Sequence, residues 1–177
     1  MVHRVLGVDL GRTLGWAYAE NAVLRYSGEV ALAPNDGGYA DKKFIAFWNF
    51  LNDFNNVDEV VYEDVRAHPR RTFNPRTQKW ESGQNIMAAH AYGGYKAILL
   101  LWCGRNDIKA LAIKPTELKK QFTGKGNAKK LMMCEEARKR GWQGGVAGTD
   151  KNDNEADARA LVHVALENRK IDVIVEQ

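Results

Sequence analysis

Residues 5–17 read VLGVDLGRTLGWA, and this stretch carries the strongest structural signal in the chain. An apolar run ends in Asp9, glycines follow, and a second apolar run begins at Leu14. The pattern predicts a buried strand, a tight turn and a second strand, with one carboxylate at the end of the first strand. A carboxylate on a core strand is costly to bury unless a cation compensates it. An aspartate that caps the turn is the alternative interpretation.

A second strand pattern also ends in acid. Residues 59–65 read EVVYEDV, which predicts a short β-branched strand that delivers Glu63 at its end. Because side chains alternate along a strand, Asp64 is expected on the opposite face. Glu63 is therefore the better candidate to join Asp9 at a common site.

A third acidic group, Asp153 to Asp157, opens a predicted amphipathic helix that continues through Leu166. Capping and the helix macrodipole explain acid in a first turn, so Asp153 or Asn154 alone has a structural explanation. Asp157 lies about one turn inside the helix and shares a face with Asp153. It is flanked by small residues that allow another element to approach closely, namely Ala156, Ala158 and Ala160.

The candidate site is made of carboxylates, which are hard oxygen ligands that suit Mg²⁺ or Mn²⁺ rather than zinc. The 4 histidines are scattered and the 2 cysteines stand alone, which argues against a structural zinc site. If the acids converge, they form a divalent-metal site, and a pair of ions there suits phosphodiester cleavage.

Three motifs together resemble the RuvC Holliday-junction resolvases of the ribonuclease H-like superfamily, especially their phage-encoded relatives. They are GVDLG at 7–11, YED at 62–64 and NEADA at 154–158. Residues 114–130, KPTELKKQFTGKGNAKK, are similar to a further family segment. The resemblance runs from about residue 4 to about residue 168. It implies an α/β protein of ribonuclease H-like fold, with a central mixed five-stranded sheet flanked by helices and a single nuclease domain over residues 1–177.

The resemblance also implies an activity: a Mg²⁺- or Mn²⁺-dependent endodeoxyribonuclease with two ions per site. Such an enzyme acts as a homodimer that nicks two strands of a four-way DNA junction symmetrically, in the cytoplasm of a bacterium or of a phage host. Asp9 and Glu63 match the first two metal ligands of the family, and Asp157 matches the last. Lys119 and Lys130 match lysines near the cleaved DNA backbone.

One position departs from the family pattern. Relatives usually have an acid or a histidine three residues before the final aspartate, and here Asn154 stands there. Either Asn154 is a weak ligand, or Asp153 or Glu155 takes its place. Helix geometry favours Asp153 as the fourth catalytic carboxylate, because Asp153 and Asp157 share a face.

The charge of the chain is mildly basic, with a formal net charge of +4 and a pI near 9.0. Basic residues are concentrated in residues 66–79, which the prolines predict to be a loop beside the candidate site, and again in residues 109–140. A solvated face is the usual explanation of a basic run, but the position beside Glu63 favours phosphate contacts. The predicted DNA contacts are Arg66, Arg70, Arg71, Arg76, Lys79, Lys120, Lys125 and Lys129.

Phe73 lies within the first basic segment. An exposed aromatic side chain there would stack on an unpaired base at a branch point. The alternative is that Phe73 packs on the following helix and anchors the segment.

The remaining patterns predict helices over 39–54 and 84–103 and a buried, parallel-type strand over 108–113. Small residues in the second helix allow close packing, either within the chain or against a second subunit. No segment approaches the length of a membrane span, and the N-terminus lacks a signal-peptide pattern, so we expect an intracellular protein without membrane contact.

Three other functions compete with junction resolution. A ribonuclease H-like nuclease acting on RNA or on flaps would share the metal chemistry, and a non-catalytic branched-DNA binding protein would share the basic surface. Residues 9–13, DLGRT, also resemble the phosphate-binding turn of sugar kinases and actin-like ATPases. Those enzymes need a second comparable domain, for which the chain is too short.

Overall fold

The computed structural model describes residues 3–32, 40–54, 56–65, 70–83, 86–169 and 174–175. Strands and helices follow one another along these ranges in an α/β arrangement. In chain order they are β1 (Arg4–Asp9), β2 (Thr13–Glu20), β3 (Val23–Ala31), α1 (Ala40–Asn52), β4 (Glu59–Glu63), β5 (Arg70–Asn74), β6 (Lys79–Gly83), α2 (Ile86–Arg105), β7 (Lys109–Ile113), α3 (Pro115–Thr123), α4 (Lys130–Lys139), α5 (Asp153–Asn168) and β8 (Ile174–Val175).

The main sheet is mixed. Strands β1, β2 and β3 form an antiparallel meander, while β4 pairs parallel with β1 and β7 pairs parallel with β4. The order across the sheet is β7-β4-β1-β2-β3, and the two-residue β8 extends it at β3. The predicted mixed five-stranded sheet flanked by helices is therefore confirmed, with β8 as a short addition at its edge.

Helices cover both faces of this sheet. Helices α3, α4 and α5 pack on one face, where Val5 of β1 contributes to the core, and α1 and α2 pack on the other, where Leu6 contributes. Because β1 is covered on both faces, its side chains are apolar at consecutive positions rather than at every second one. The apolar run in residues 5–8 follows from this central position.

The two helices predicted over 39–54 and 84–103 correspond to α1 and α2. They pack closely because Gly94 leaves room for Phe44, whose ring would lie 2.5 Å from a Cβ at that glycine. Other apolar side chains of α2 face outward, with Leu100 41% and Leu101 58% exposed. No helix within the described ranges is long and apolar enough to cross a membrane.

The strand predicted over 108–113 is parallel as expected, but the prediction that it is buried was wrong. Lys109, Ala110 and Ala112 are exposed, and within β7 only Ile113 is buried. The physical reason is position: β7 is the last strand on its side of the described sheet, so part of its surface has no neighbour.

The prediction that residues 66–79 form a loop was wrong over 70–74 and at Lys79, and residues 66–69 lie outside the described part of the chain. Strands β5 and β6 form an antiparallel hairpin in which Phe73 is paired with Trp80. Pro75, which favoured a loop, belongs to its turn, where the Asn74 side chain accepts a hydrogen bond from the Arg76 backbone N–H at 2.9 Å. The aromatic and β-branched residues on either side favour strand.

Candidate active site

Asp9 and Glu63 end two neighbouring parallel strands. Val8 of β1 is in register with Tyr62 of β4, so the next pair is Asp9 beside Glu63. Both lie on the sheet face covered by α5, because Val61 of that face is two residues before Glu63. The parallel strands thus bring two carboxylates that are distant in sequence to the same end of the sheet, where β1 and β4 both finish.

Helix α5 begins directly on these strands because two glycines leave room for it. A Cβ at Gly15, which is paired with Asp9, would lie 1.9 Å from the Asn154 carbonyl oxygen. A Cβ at Gly7 would lie 2.6 Å from the Ala158 carbonyl oxygen. The absence of side chains at these two positions allows the first turns of α5 to meet the sheet beside Asp9.

The aspartates of α5 interact electrostatically with the strand carboxylates. Burial raises the pKa of Asp157 to about 7, and the charges of Glu63 and Asp153 act in the same direction. Burial also raises the pKa of Asp9 well above its usual range, followed by repulsion from Asp157, Glu63 and Asp153. The pKa of Glu63 is raised, again chiefly by burial. Four carboxylates therefore share one poorly solvated region.

Two lysines add positive charge to this region. Lys130, the first residue of α4, forms an ion pair with Asp153, and its charge lowers the pKa of Asp9 and of Asp157. The charge of Lys119 in α3 acts on Glu63 and Asp157 in the same way, so it partly offsets the rise in their pKa values that burial causes. Both lysines that the resemblance singles out lie close enough to the carboxylates to act on their charge.

The two remaining candidates for a fourth ligand point away from the carboxylates. The Asn154 side-chain amide donates to Glu29 Oε1 at 3.2 Å, and Glu155 Oε1 accepts from the Ser27 hydroxyl at 2.7 Å. Both partners belong to β3, on the far side of α5 from Glu63. Of the three acidic or amide residues that open α5, Asp153 is the one on the carboxylate side.

The donor set fits a divalent cation. Asp157 Oδ1 is buried and has no hydrogen-bond partner within the described protein, and Asp157 interacts electrostatically with the carboxylates of Glu63 and Asp153. Carboxylate oxygens are ligands that Mg²⁺ and Mn²⁺ prefer. In the described part of the chain, no three His, Cys, Asp or Glu side chains have the spacing of a finished ion site.

The predicted DNA contacts belong to the β5–β6 hairpin and to the region of α3 and α4. Phe73 is 47% exposed and Arg76 lies exposed in the hairpin turn, while Lys120, Lys125 and Lys129 are exposed around α3 and the segment before α4. Arg70, Arg71 and Lys79 are residues of the hairpin strands, and Arg66 lies outside the described residues.

Two further residues support the site and carry no signal in the sequence. The Tyr92 hydroxyl of α2 donates to the Glu63 carbonyl oxygen at 2.6 Å and accepts from the Val65 N–H at 3.0 Å, which fixes the end of β4. Glu29 holds the start of α5 from β3. As predicted, Asp64 faces the other way, and its carboxylate binds Lys96 of α2 at 2.6 Å.

Three solved structures share this architecture. RuvC of Thermus thermophilus matches with a TM-score of 0.61 and 20% identity over 97% of this chain and 98% of that chain. The same protein in complex with Holliday junction substrate gives 0.63 and 18% identity over 95% and 96%. The yeast mitochondrial Holliday junction resolvase gives 0.61 and 16% identity over 90% and 76%. The chain therefore has the ribonuclease H-like fold of RuvC and other Holliday junction resolvases.

No protein-family model matches the sequence, and no curated protein matches it either.

Proposed function

We propose that this protein is a divalent-metal-dependent DNA endonuclease that resolves Holliday junctions and related branched DNA by paired, symmetric nicks. The observation that carries the proposal is the meeting of Asp9, Glu63 and Asp157 at one edge of a resolvase-like sheet. A related fold has been solved with a Holliday junction bound, which supports the choice of substrate. The basic residues of the hairpin, and Lys119 and Lys130 near the carboxylates, suit a phosphate backbone.

The chemistry follows from the residues at that edge. Asp9, Glu63, Asp157 and Asp153 would hold Mg²⁺ or Mn²⁺, and ions bound there would supply the positive charge that activates water and neutralises the leaving oxygen. The strand ends fix the backbone positions of Asp9 and Glu63, and the packed helix fixes those of Asp153 and Asp157. Lys119 and Lys130 add charge where the scissile phosphate becomes more negative.

The direct test uses a labelled immobile four-way junction, a linear duplex and an RNA–DNA hybrid, each incubated with Mg²⁺, Mn²⁺ or EDTA. We expect paired symmetric nicks on the junction that disappear with EDTA. Cleavage confined to the hybrid would instead identify a ribonuclease H-like enzyme. Tight junction binding without any product would identify a non-catalytic binding protein.

The basic hairpin provides a separate prediction for DNA binding. Reversing the charge of Arg70 and Arg71 to glutamate should weaken junction binding and reduce the slope of log K against log salt by about 2, since each lost phosphate contact removes about one released counterion. The matched control reverses Lys42 and Arg105, which changes the net charge equally but lies on α1 and at the end of α2. An unchanged slope in the hairpin variant would mean that the hairpin does not contact DNA.

We also propose that the protein acts as a homodimer, since paired nicks need two active sites. Support comes from α2, where Gly93 has open space around it and Ala97, Leu100 and Leu101 are exposed, forming a small-residue and apolar surface. Small residues of this kind let two helices approach closely, and apolar surface of this kind is removed from water by association.

Leu101→Glu should convert a dimer into a monomer in light scattering coupled to size-exclusion chromatography, because it places a charge in the apolar contact. Val146→Glu is the control, since Val146 is 50% exposed but lies in the segment before α5. A wild-type protein that is monomeric at micromolar concentration would contradict the dimer.

A further inference from the structure

Helix α5 begins with backbone donors that its own N-cap residue does not satisfy. Asn152 is the N-cap residue, with a left-handed φ of 61°, and its side chain makes no capping hydrogen bond. In many helices, a side-chain oxygen of the N-cap residue accepts a hydrogen bond from one of the free N–H groups of the first turn. Here Glu29 of β3 supplies that oxygen, because its Oε1 accepts from the Glu155 N–H at 3.2 Å.

The same oxygen of Glu29 also accepts from the Asn154 side-chain amide at 3.2 Å. Two residues earlier on β3, the Ser27 hydroxyl donates to Glu155 Oε1 at 2.7 Å and accepts from an Arg159 guanidinium N–H at 2.8 Å. Strand β3 therefore holds the first two turns of α5 through a chain of polar contacts. In this series of hydrogen bonds, the Asn154 side-chain amide is the donor to Glu29.

The strand register explains why a residue on β3 affects the active site. Between β4 and β1, Tyr62 is aligned with Val8, so Glu63 follows beside Asp9. Between β1 and β2, Asp9 is paired with Gly15. Between β2 and β3, Gly15 is paired with Glu29. The four positions form one row across β4, β1, β2 and β3. Helix α5 starts over the glycine of this row, with the metal-binding carboxylates on one side of it and Glu29 on the other.

We propose that Glu29 is a positioning residue for the nuclease. By holding Asn154 and the Glu155 N–H on the β3 side, it orients α5 so that Asp153 and Asp157 face the strand carboxylates. The proposal rests on the proposed nuclease function for its effect on cleavage. It also accounts for the asparagine that departs from the family pattern, because Asn154 donates to a carboxylate and does not serve as a weakened metal ligand. We call these contacts of Glu29 with the start of α5 the Glu29 clamp.

A single substitution that exchanges the amide for a charge tests the Glu29 clamp. Asn154→Asp restores the acid of the resembled family and puts a negative charge in the first turn of a helix, which ordinarily stabilises it. The Glu29 clamp predicts the opposite, because the new carboxylate would face the carboxylate of Glu29. We expect the thermal midpoint without metal to fall by roughly 3 to 6 °C, and single-turnover junction cleavage to slow by about tenfold or more, with junction affinity unchanged.

The double variant Asn154→Asp/Glu29→Gln should reverse both effects, since the new side-chain amide at position 29 donates to the new carboxylate at position 154 while its oxygen still accepts from the Glu155 N–H. Asn56→Asp, the same substitution at an exposed residue before β4 and outside any helix, is the control and should change neither quantity appreciably. The proposal is overturned if Asn154→Asp leaves the midpoint equal or higher, or if the double variant shows no recovery. If the wild type cleaves no junction at all, the proposed function fails. The thermal midpoints of the wild type, Asn154→Asp and the double variant still decide the Glu29 clamp.

Discussion

Asp9→Asn should abolish metal-dependent junction cleavage while leaving junction binding close to the wild-type level, and Glu63→Gln should do the same. Each substitution removes a charged ligand oxygen without touching the basic surface. Loss of the charge stabilisation that a bound ion supplies is worth several kcal/mol, which corresponds to about a thousandfold or more in rate. Single-turnover cleavage and junction binding, measured on the same preparations, separate the two effects.

The stability of the Asp9→Asn variant distinguishes loss of a ligand from loss of the fold. Burial and repulsion raise the pKa of Asp9, so the charged form is disfavoured in the folded protein without metal. Removing that charge should leave the metal-free thermal midpoint unchanged or higher, although activity is lost.

Asp64→Asn is the matched control for these variants. Asp64 is adjacent to Glu63 in sequence, but it binds Lys96 on the opposite face of the sheet. We expect this variant to cleave like the wild type. Retained full activity in Asp9→Asn or Glu63→Gln would show that the carboxylate group is not the active site.

Gly15→Ala should lower both stability and activity, although local preference points the other way. Alanine in a strand is normally slightly favourable relative to glycine, because it has less conformational entropy to lose. At this position the added Cβ would lie 1.9 Å from the Asn154 carbonyl oxygen, and backbone on both sides has to move. Overpacking of this kind costs about 1–3 kcal/mol or more, which corresponds to a fall in thermal midpoint of roughly 3–10 °C.

The same displacement should reduce cleavage by about a hundredfold, because a shift of about 1 Å in a positioned catalytic group has an effect of that size. Gly104→Ala is the control, since a Cβ there has open space and the residue lies in α2, where alanine is favoured. A Gly15→Ala protein with wild-type stability and cleavage would contradict the packing of α5 against β2.

The sequence predicted the strand ends well because their signals are local. Asp9 and Glu63 each close an apolar run, and alternation along the strand correctly put Asp64 on the other face. The small residues beside Asp157 also indicated close packing, and Ala158 does lie against Gly7. These inferences need only the periodicity of one element at a time.

Other features depend on contacts between distant segments and were missed. Glu29 contacts Asn154 across 125 positions of sequence, and nothing near Glu29 marks it as a cap for another element. The burial of β7 was overestimated because apolar content does not reveal whether a strand is central or at an edge. The hairpin formed by β5 and β6 was missed because asparagine and proline mark its turn as strongly as they mark a loop.

The docking of α5 on Gly7 and Gly15 also bears on when the protein becomes active during its synthesis. The meander of β1, β2 and β3 is built from neighbouring segments and can pair early, whereas α5 must return to it from far along the chain. Asp157 reaches the strand carboxylates only in that last step. A nascent chain in which α5 has not yet docked therefore lacks Asp157 beside Asp9 and Glu63, so the proposed nuclease site is incomplete until this helix packs on the sheet.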